Sequence, residues 1–221
     1  PPSTATLVAV GTVWPLFLML LNLRGMQEAS WTNNALVVLK VTALVLFIVV
    51  GGYYLVHSGD FSNYKPFFPE GIKGMLSGAS IIFFAFIGFN TIAMVAEEVK
   101  DPEKNVHRAI LISFGICTLL YIGVAMVAVG LIDWQTLGQS KAPLELALRV
   151  ATSNPLFLKF VAVSALFATT SVIISSIIGA SRALFAMARQ GVIPGTLAKV
   201  SGQGIPATGV VVSGVVISLI V

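Results

Sequence analysis

The stretch Ile81-Ile-Phe-Phe-Ala-Phe-Ile-Gly-Phe-Asn-Thr-Ile-Ala-Met-Val-Ala-Glu-Glu-Val-Lys-Asp-Pro-Glu-Lys-Asn-Val-His-Arg108 decides the class of fold. Its first sixteen residues carry no charge, whereas its last twelve include eight charged or titratable residues. Charged side chains are costly in lipid, so such a segment is expected to pass from the membrane into water. Gly88 and Asn90 lie near the middle of the uncharged part.

Gly88 is where we expect this membrane helix to break. A break at mid-membrane presents unpaired main-chain groups, which suit a small zwitterionic ligand. Irregular backbone at that depth persists only where it lines a cavity enclosed by protein. The alternative is a continuous helix with one tolerated glycine, because glycine is common in membrane helices. The spacing of the residues alone leaves both interpretations open.

The composition of the chain is that of a polytopic membrane protein. Hydrophobic residues make up 57% and charged residues 10% of its 221 residues, and the mean hydropathy is +0.95. A soluble domain carries roughly a quarter charged residues. Spans need ~20 apolar residues each, and candidates run over about residues 6–21, 35–56, 75–96, 109–131, 156–187 and 206–221. Because the chain starts at Pro1 and the last run stops after sixteen residues, we expect an internal fragment.

Several classes of function are not expected from this composition. The single cysteine, Cys117, lies inside an apolar run, so a disulfide framework or a zinc cluster within the chain is excluded. The net charge of +4 reflects loop orientation more than nucleic-acid binding. We therefore expect no nucleic-acid partner, no metal and no cofactor. A membrane-embedded enzyme is a weak alternative, because the spans hold no nucleophile–base pair.

Lys40 is the only residue with a formal charge deep inside an apolar run. A lysine at the centre of a membrane helix costs about 2.5–3.5 kcal/mol on insertion scales, so it usually faces a cavity or a partner. A lysine held away from water can exchange a proton near working pH. The alternative is that Lys40 lies only about 7.5 Å into a helix starting at residue 35 and extends its ammonium to the interface.

Two further segments carry expectations of their own. Residues 22–34 are expected to form a polar cytoplasmic turn, in which Asn33-Asn34 caps the following helix. The run Ala-Thr-Thr-Ser-Val-Ile-Ile-Ser-Ser at residues 168–176 places many hydroxyls inside a span. Such hydroxyls either bond the preceding helical turn or belong to a polar site, and both interpretations are open.

The distribution of lysine and arginine predicts the orientation of the spans. One side of the membrane receives seven of these residues and the other receives five, and the denser side includes the cluster from Lys100 to Arg108. We place that denser side in the cytoplasm.

The run FFAFIGFN…AEEVKDPEKNVHRAI resembles the sixth transmembrane helix, and the loop after it, of amino acid permeases. These belong to the amino acid–polyamine–organocation superfamily, and the resemblance is greatest to the branch of cationic amino acid transporters and bacterial permeases. It implies an all-α fold of the LeuT-like kind, with two inverted five-helix repeats. Residues 1–221 would then be one transmembrane domain fragment holding helices four to nine, the ninth incomplete.

The resemblance also implies positions for the transport machinery. The substrate-binding positions are Phe84, Ala85, Ile87, Gly88 and Asn90. Phe84 corresponds to an aromatic gate, and the carbonyls of Phe84 and Ile87 to those that receive the substrate amino group. Asn90 departs from the family pattern, because many relatives have Asp or Glu there. The proton-coupling positions are Lys40, Thr170 and Ser171, whose hydroxyls would lie within reach of the Lys40 ammonium.

The function implied is proton-coupled amino acid symport by alternating access, carried out by a multi-pass protein of the plasma membrane. Its partners would be an amino acid, protons and the lipid bilayer; a partner subunit is not indicated by the sequence. One alternative is a sodium-coupled or uncoupled exchanger. Lys40 distinguishes proton coupling from sodium coupling, because an ammonium and a sodium ion cannot share one site. Another is a sensor or scaffold that does not transport.

Overall fold

The computed structural model describes residues 4–24, 26–86, 88, 92, 96, 99–201 and 206–220, and the side chains of these residues except 4–9, 24 and 26–30. Within these ranges the secondary structure is helical, with no strand. The α-helices are α1 (Thr4–Arg24), α2 (Met26–Ser58), α3 (Gly71–Ala85), α4 (Pro102–Leu131), α5 (Trp134–Gln139), α6 (Pro143–Ala151), α7 (Pro155–Arg189) and α8 (Ala207–Ile220). Short 3-10 helices cover Ser62–Tyr64 and Gly195–Ala198.

Three helices in the described ranges are long and apolar enough to cross a membrane. They are Trp31–Ser58 within α2, Pro102–Leu131 and Pro155–Arg189. Three shorter apolar helices cover Val10–Leu23, Gly71–Ala85 and Ala207–Ile220. The prediction of an all-α, multi-pass integral membrane protein is confirmed.

The predicted turn at residues 22–34 is wrong. α1 continues to Arg24 and α2 begins at Met26, so Asn33 lies inside a helix and cannot be an N-cap. Its side chain instead contacts another helix, because the Ser175 hydroxyl donates to Asn33 Oδ1 at 3.3 Å. Both side chains are partly buried, and the interhelical contact satisfies their hydrogen-bonding groups without a turn.

The chain divides into two compact units. The first is formed by Pro1–Val37, Thr91–Lys100 and Ala168–Val221. Its apolar core consists of Leu18, Ile174, Ile177 and Val210. Glycines allow close helix packing in this unit, since a methyl group at Gly214 of α8 would lie 2.5 Å from Met19 Cγ of α1.

The second unit is formed by Val38–Asn90 and Asp101–Phe167. Its apolar core contains Phe47, Leu55, Val127, Ala128, Leu131, Ala147, Leu148 and Val161. α2 and α4 approach each other closely and in parallel: Ile48 contacts Gly123, Val127 contacts Gly51, and Leu55 contacts Gly130. The two helices therefore keep a constant offset of about 75 residues along this interface.

The segment after α2 is attached to the end of α4 in the second unit. The Asn63 amide donates to the Gly130 carbonyl at 2.9 Å, and the Tyr64 hydroxyl donates to the Met126 carbonyl at 2.8 Å. Burial raises the pKa of Tyr64, because the phenolate is disfavoured away from water. Asp133 then caps α5 by accepting from the Thr136 N–H at 2.9 Å. The 3-10 helix Ser62–Tyr64 is thus held in place by hydrogen bonds to helix-end carbonyls.

Candidate functional site

The predicted substrate segment begins where α3 ends. Residues 75–96 were expected to form the span, but α3 runs over Gly71–Ala85 and stops there. Phe86 has φ −92° and ψ −2°, and Gly88 has φ +126°, a region that residues with a Cβ rarely adopt. The helix therefore does not continue through Gly88, and the interpretation as an uninterrupted helix is wrong.

The positions expected to contact substrate have the following places. The Phe84 side chain, in the last turn of α3, is 67% exposed and packs edge-on against Phe83 at 6.2 Å between ring centroids. Ala85 is the last residue of α3. Ile87 and Asn90 lie outside the described residues. Substrate contact by these positions stays a prediction.

An aromatic group on α4 contacts this end of α3, and the sequence did not predict it. The Tyr121 hydroxyl donates to the Ala85 carbonyl at 2.9 Å. The ring of Phe86 packs against Phe114 at 4.6 Å and against Tyr121 at 5.2 Å between centroids. The signal available in the sequence was a tyrosine in an apolar run, since a tyrosine hydroxyl usually needs a polar partner when removed from water.

Lys40 lies in α2 and is partly buried. The apolar run of α2 begins at Ala35, directly after Asn33 and Asn34, so Lys40 lies five residues, or about 7.5 Å along the helix axis, into it. The offset between α2 and α4 places Lys40 level with residues 115 and 116 of α4, about one and a half turns before Tyr121.

Thr170 and Ser171 are both buried on α7, with 7% and 1% of their surface exposed. Thr170 Oγ1 accepts a hydrogen bond from Trp14 Nε1 of α1 at 3.2 Å. The Ser171 hydroxyl donates to the Ala168 carbonyl at 2.9 Å, the helical back-bonding that the sequence left open. Trp14 is thus a second residue that sequence reasoning missed, and its indole N–H in an apolar run was the signal.

The two groups of predicted coupling residues lie in different units. Lys40 belongs to the second unit, and Thr170 and Ser171 belong to the first. The expected proximity of the Lys40 ammonium to the two hydroxyls therefore stays a prediction.

An open polar cavity of about 570 Å³ lies in the second unit, apart from all of these positions. Its lining comes from the segment after α2 and from the start of α5, and consists of Ser62, Asn63, Lys65, Pro66, Pro69, Glu70, Asp133, Trp134 and Gln135. None of the predicted site residues that the structure describes lines it. In the ranges that the structure describes, no three His, Cys, Asp or Glu side chains group together as a metal site requires.

Comparison with known proteins places this helical arrangement in a family. The family model for amino acid permeases matches residues 1–221. The chain is 35% identical over 176 residues to the branched-chain amino acid permease BcaP of Bacillus subtilis, covering 80% of this chain and 37% of that protein. It is 34% identical over 177 residues to the methylthioribose transporter of the same species, with the same coverage.

A plant relative extends the match over nearly the whole chain. The vacuolar cationic amino acid transporter 4 of Arabidopsis thaliana is 30% identical over 218 residues, covering 97% of this chain and 35% of that protein. The chain thus spans a little over a third of the length of these relatives. Because the family match covers every residue, the chain belongs to the amino acid permease family.

Proposed function

We propose that the protein is a secondary transporter that moves amino acids across a membrane by alternating access. The observation that carries this proposal is the end of α3 at Ala85, followed by Gly88 at φ +126°, within an uncharged segment of a permease-family chain. An opened backbone in a membrane protein supplies main-chain carbonyls for an ammonium group. Phe84, Ala85, Ile87, Gly88 and Asn90 are the positions proposed to contact the substrate.

A neutral, apolar amino acid is the substrate class that this segment favours. Residues 81–96 contain no carboxylate, so they offer no charged partner to a cationic side chain. Asn90 supplies only a neutral amide. The relative named as a branched-chain amino acid permease agrees with this preference.

Proton coupling through Lys40 is the second part of the proposal. Lys40 is partly buried in α2 and carries a formal charge inside the apolar run that begins at Ala35. Titratable residues inside spans characteristically mark proton pathways in transporters. Thr170 and Ser171, both buried, are the other two positions proposed to take part in proton coupling.

Uptake of labelled solutes into proteoliposomes that hold the full-length protein tests this function. The panel contains leucine, lysine, arginine and methylthioribose, because relatives are named for each of these classes. Saturable uptake of leucine, stronger than that of lysine, is the expected result. Uptake of methylthioribose alone would show that the substrate is a thio-sugar and not an amino acid. Binding of a solute without any uptake would favour a sensor or scaffold.

A further inference from the structure

The last turn of a membrane helix has carbonyls that no intrahelical N–H can reach. In α3 these belong to the last turn, which includes Phe84 and Ala85 of the proposed substrate positions. The Phe86 N–H closes back onto the Phe83 carbonyl at 3.1 Å, and the Ala85 carbonyl receives the Tyr121 hydroxyl at 2.9 Å. A group on a different helix therefore satisfies the final carbonyl before the chain departs from helical geometry.

Ring packing adds to this hydrogen bond. Phe86, the first residue after α3, lies against the rings of Phe114 and Tyr121. These two residues are seven apart on α4, which places them two turns apart on the same helix face. The main chain at Ala85 and the side chain at Phe86 are thus both held by one face of α4.

α4 is itself held closely against α2. A methyl group added to Gly51 would clash with Val127, and one added to Gly123 would lie 2.9 Å from Ile48 Cδ1. Close packing of this kind leaves little freedom for one helix to shift against the other. The aromatic face of α4 is therefore carried by a well-supported helix of the second unit.

We propose that Tyr121 is a positioning residue, which holds the end of α3 so that the carbonyls of its last turn are presented to the substrate in a fixed geometry. This inference rests on the proposed transport function. The effect expected is on affinity, because an ordered segment loses less conformational freedom when the substrate binds. Tyr121 itself does not need to touch the substrate.

Tyr64 provides a matched control within the same unit. Its hydroxyl also donates to a carbonyl of a long helix, Met126 of α4, at 2.8 Å. It lies in the 3-10 helix Ser62–Tyr64 and is not in contact with the end of α3. Replacing either tyrosine with phenylalanine removes one hydroxyl and keeps the ring.

Hydrogen exchange of the full-length protein in nanodiscs tests the positioning without requiring transport. With Tyr121→Phe, we expect exchange at residues 82–86, the last turn of α3 and its cap, to become about two- to tenfold faster, as loss of one hydrogen bond predicts. Tyr64→Phe should leave these amides unchanged. Equal exchange in wild type and Tyr121→Phe would overturn the inference, whatever the transport activity of the protein.

Uptake kinetics then test the consequence for transport. Tyr121→Phe is expected to raise KM for leucine about two- to tenfold and to change the maximal rate by less than about twofold. Phe114→Leu, which removes the ring against Phe86, should shift KM in the same direction. An unchanged KM in Tyr121→Phe, or an equal rise in Tyr64→Phe, would contradict positioning by Tyr121. Absence of uptake in the wild type would instead contradict the proposed transport function. Positioning by Tyr121 would then be judged from the hydrogen-exchange result alone.

Discussion

The indole N–H of Trp14 donates to the hydroxyl oxygen of Thr170, at 3.2 Å, across 156 residues of sequence. The contact joins α1 to α7 within the first unit, at the residue proposed to take part in proton coupling. Because the Thr170 side chain is buried, loss of this donor is not readily replaced by water.

Trp14→Phe should therefore destabilise the first unit. The expected cost is about 0.5–1.5 kcal/mol, the net value of one hydrogen bond, seen as a lower midpoint of thermal unfolding in detergent. Trp31→Phe is the matched control, since Trp31 is 75% exposed. Equal midpoints for the two variants would show that the Trp14–Thr170 contact adds no stability.

Gly214→Ala should destabilise the packing of α1 against α8. The new methyl group would lie 2.5 Å from Met19 Cγ and 2.6 Å from Sδ, so Met19 must move. Overpacking of this kind costs about 1–3 kcal/mol. Gly115→Ala is the control, because an added methyl group there meets nothing within 4 Å.

A double-mutant cycle identifies Met19 as the cause. In a Met19→Ala background, Gly214→Ala is expected to cost less than in the wild type, because the space next to Gly214 is then open. A cost that is the same in both backgrounds would assign the destabilisation to something other than this contact.

The cap at Asp133 predicts a pH-dependent contribution to stability. The hydrogen bonds from Thr136 hold the pKa of this carboxyl below its ordinary value of 3.8. A lowered folded-state pKa stabilises the fold above the unfolded-state pKa, and this contribution is lost as the pH falls through the folded-state pKa. Asp133→Asn keeps an acceptor but has no charge to titrate.

Thermal unfolding between pH 6 and about pH 3 measures this effect. Wild type is expected to be more stable than Asp133→Asn at pH 6, and the difference should shrink below about pH 4 as the carboxylate is protonated. A stability difference that stays constant over this range would show that ionisation of Asp133 does not affect the stability of the fold.

The membrane spans were predictable because lipid imposes strong local rules. Long uncharged runs must be helical, and a glycine between aromatic residues marks a place where the helix can end. The residues therefore indicated the membrane class and singled out Gly88, and the family resemblance favoured a break there over a continuous helix. The sequence also singled out Lys40, since one charge in an apolar run is visible without any structure.

Contacts between helices were not predictable in the same way. Three hydrogen bonds join different helices: Tyr121 donates to the Ala85 carbonyl, Trp14 to the Thr170 hydroxyl oxygen and Ser175 to Asn33 Oδ1. Each of them depends on which helix faces meet. A single sequence shows that these side chains need partners but not where the partners lie. Asn33 was misinterpreted for this reason, because local propensity favours a cap whereas the tertiary contact places it inside α2.

Proton coupling through Lys40 is the central claim, and pH-driven uptake in proteoliposomes of the full-length protein tests it most directly. An inward proton gradient, with and without sodium, is applied to wild type, to Lys40→Ala and to Lys159→Ala, an exposed lysine of α7 that serves as control. Wild type and Lys159→Ala should take up leucine in proportion to the proton gradient and independently of sodium, and Lys40→Ala should lose this dependence. Uptake that follows the proton gradient equally well in Lys40→Ala, or that requires sodium in the wild type, would contradict the role of Lys40.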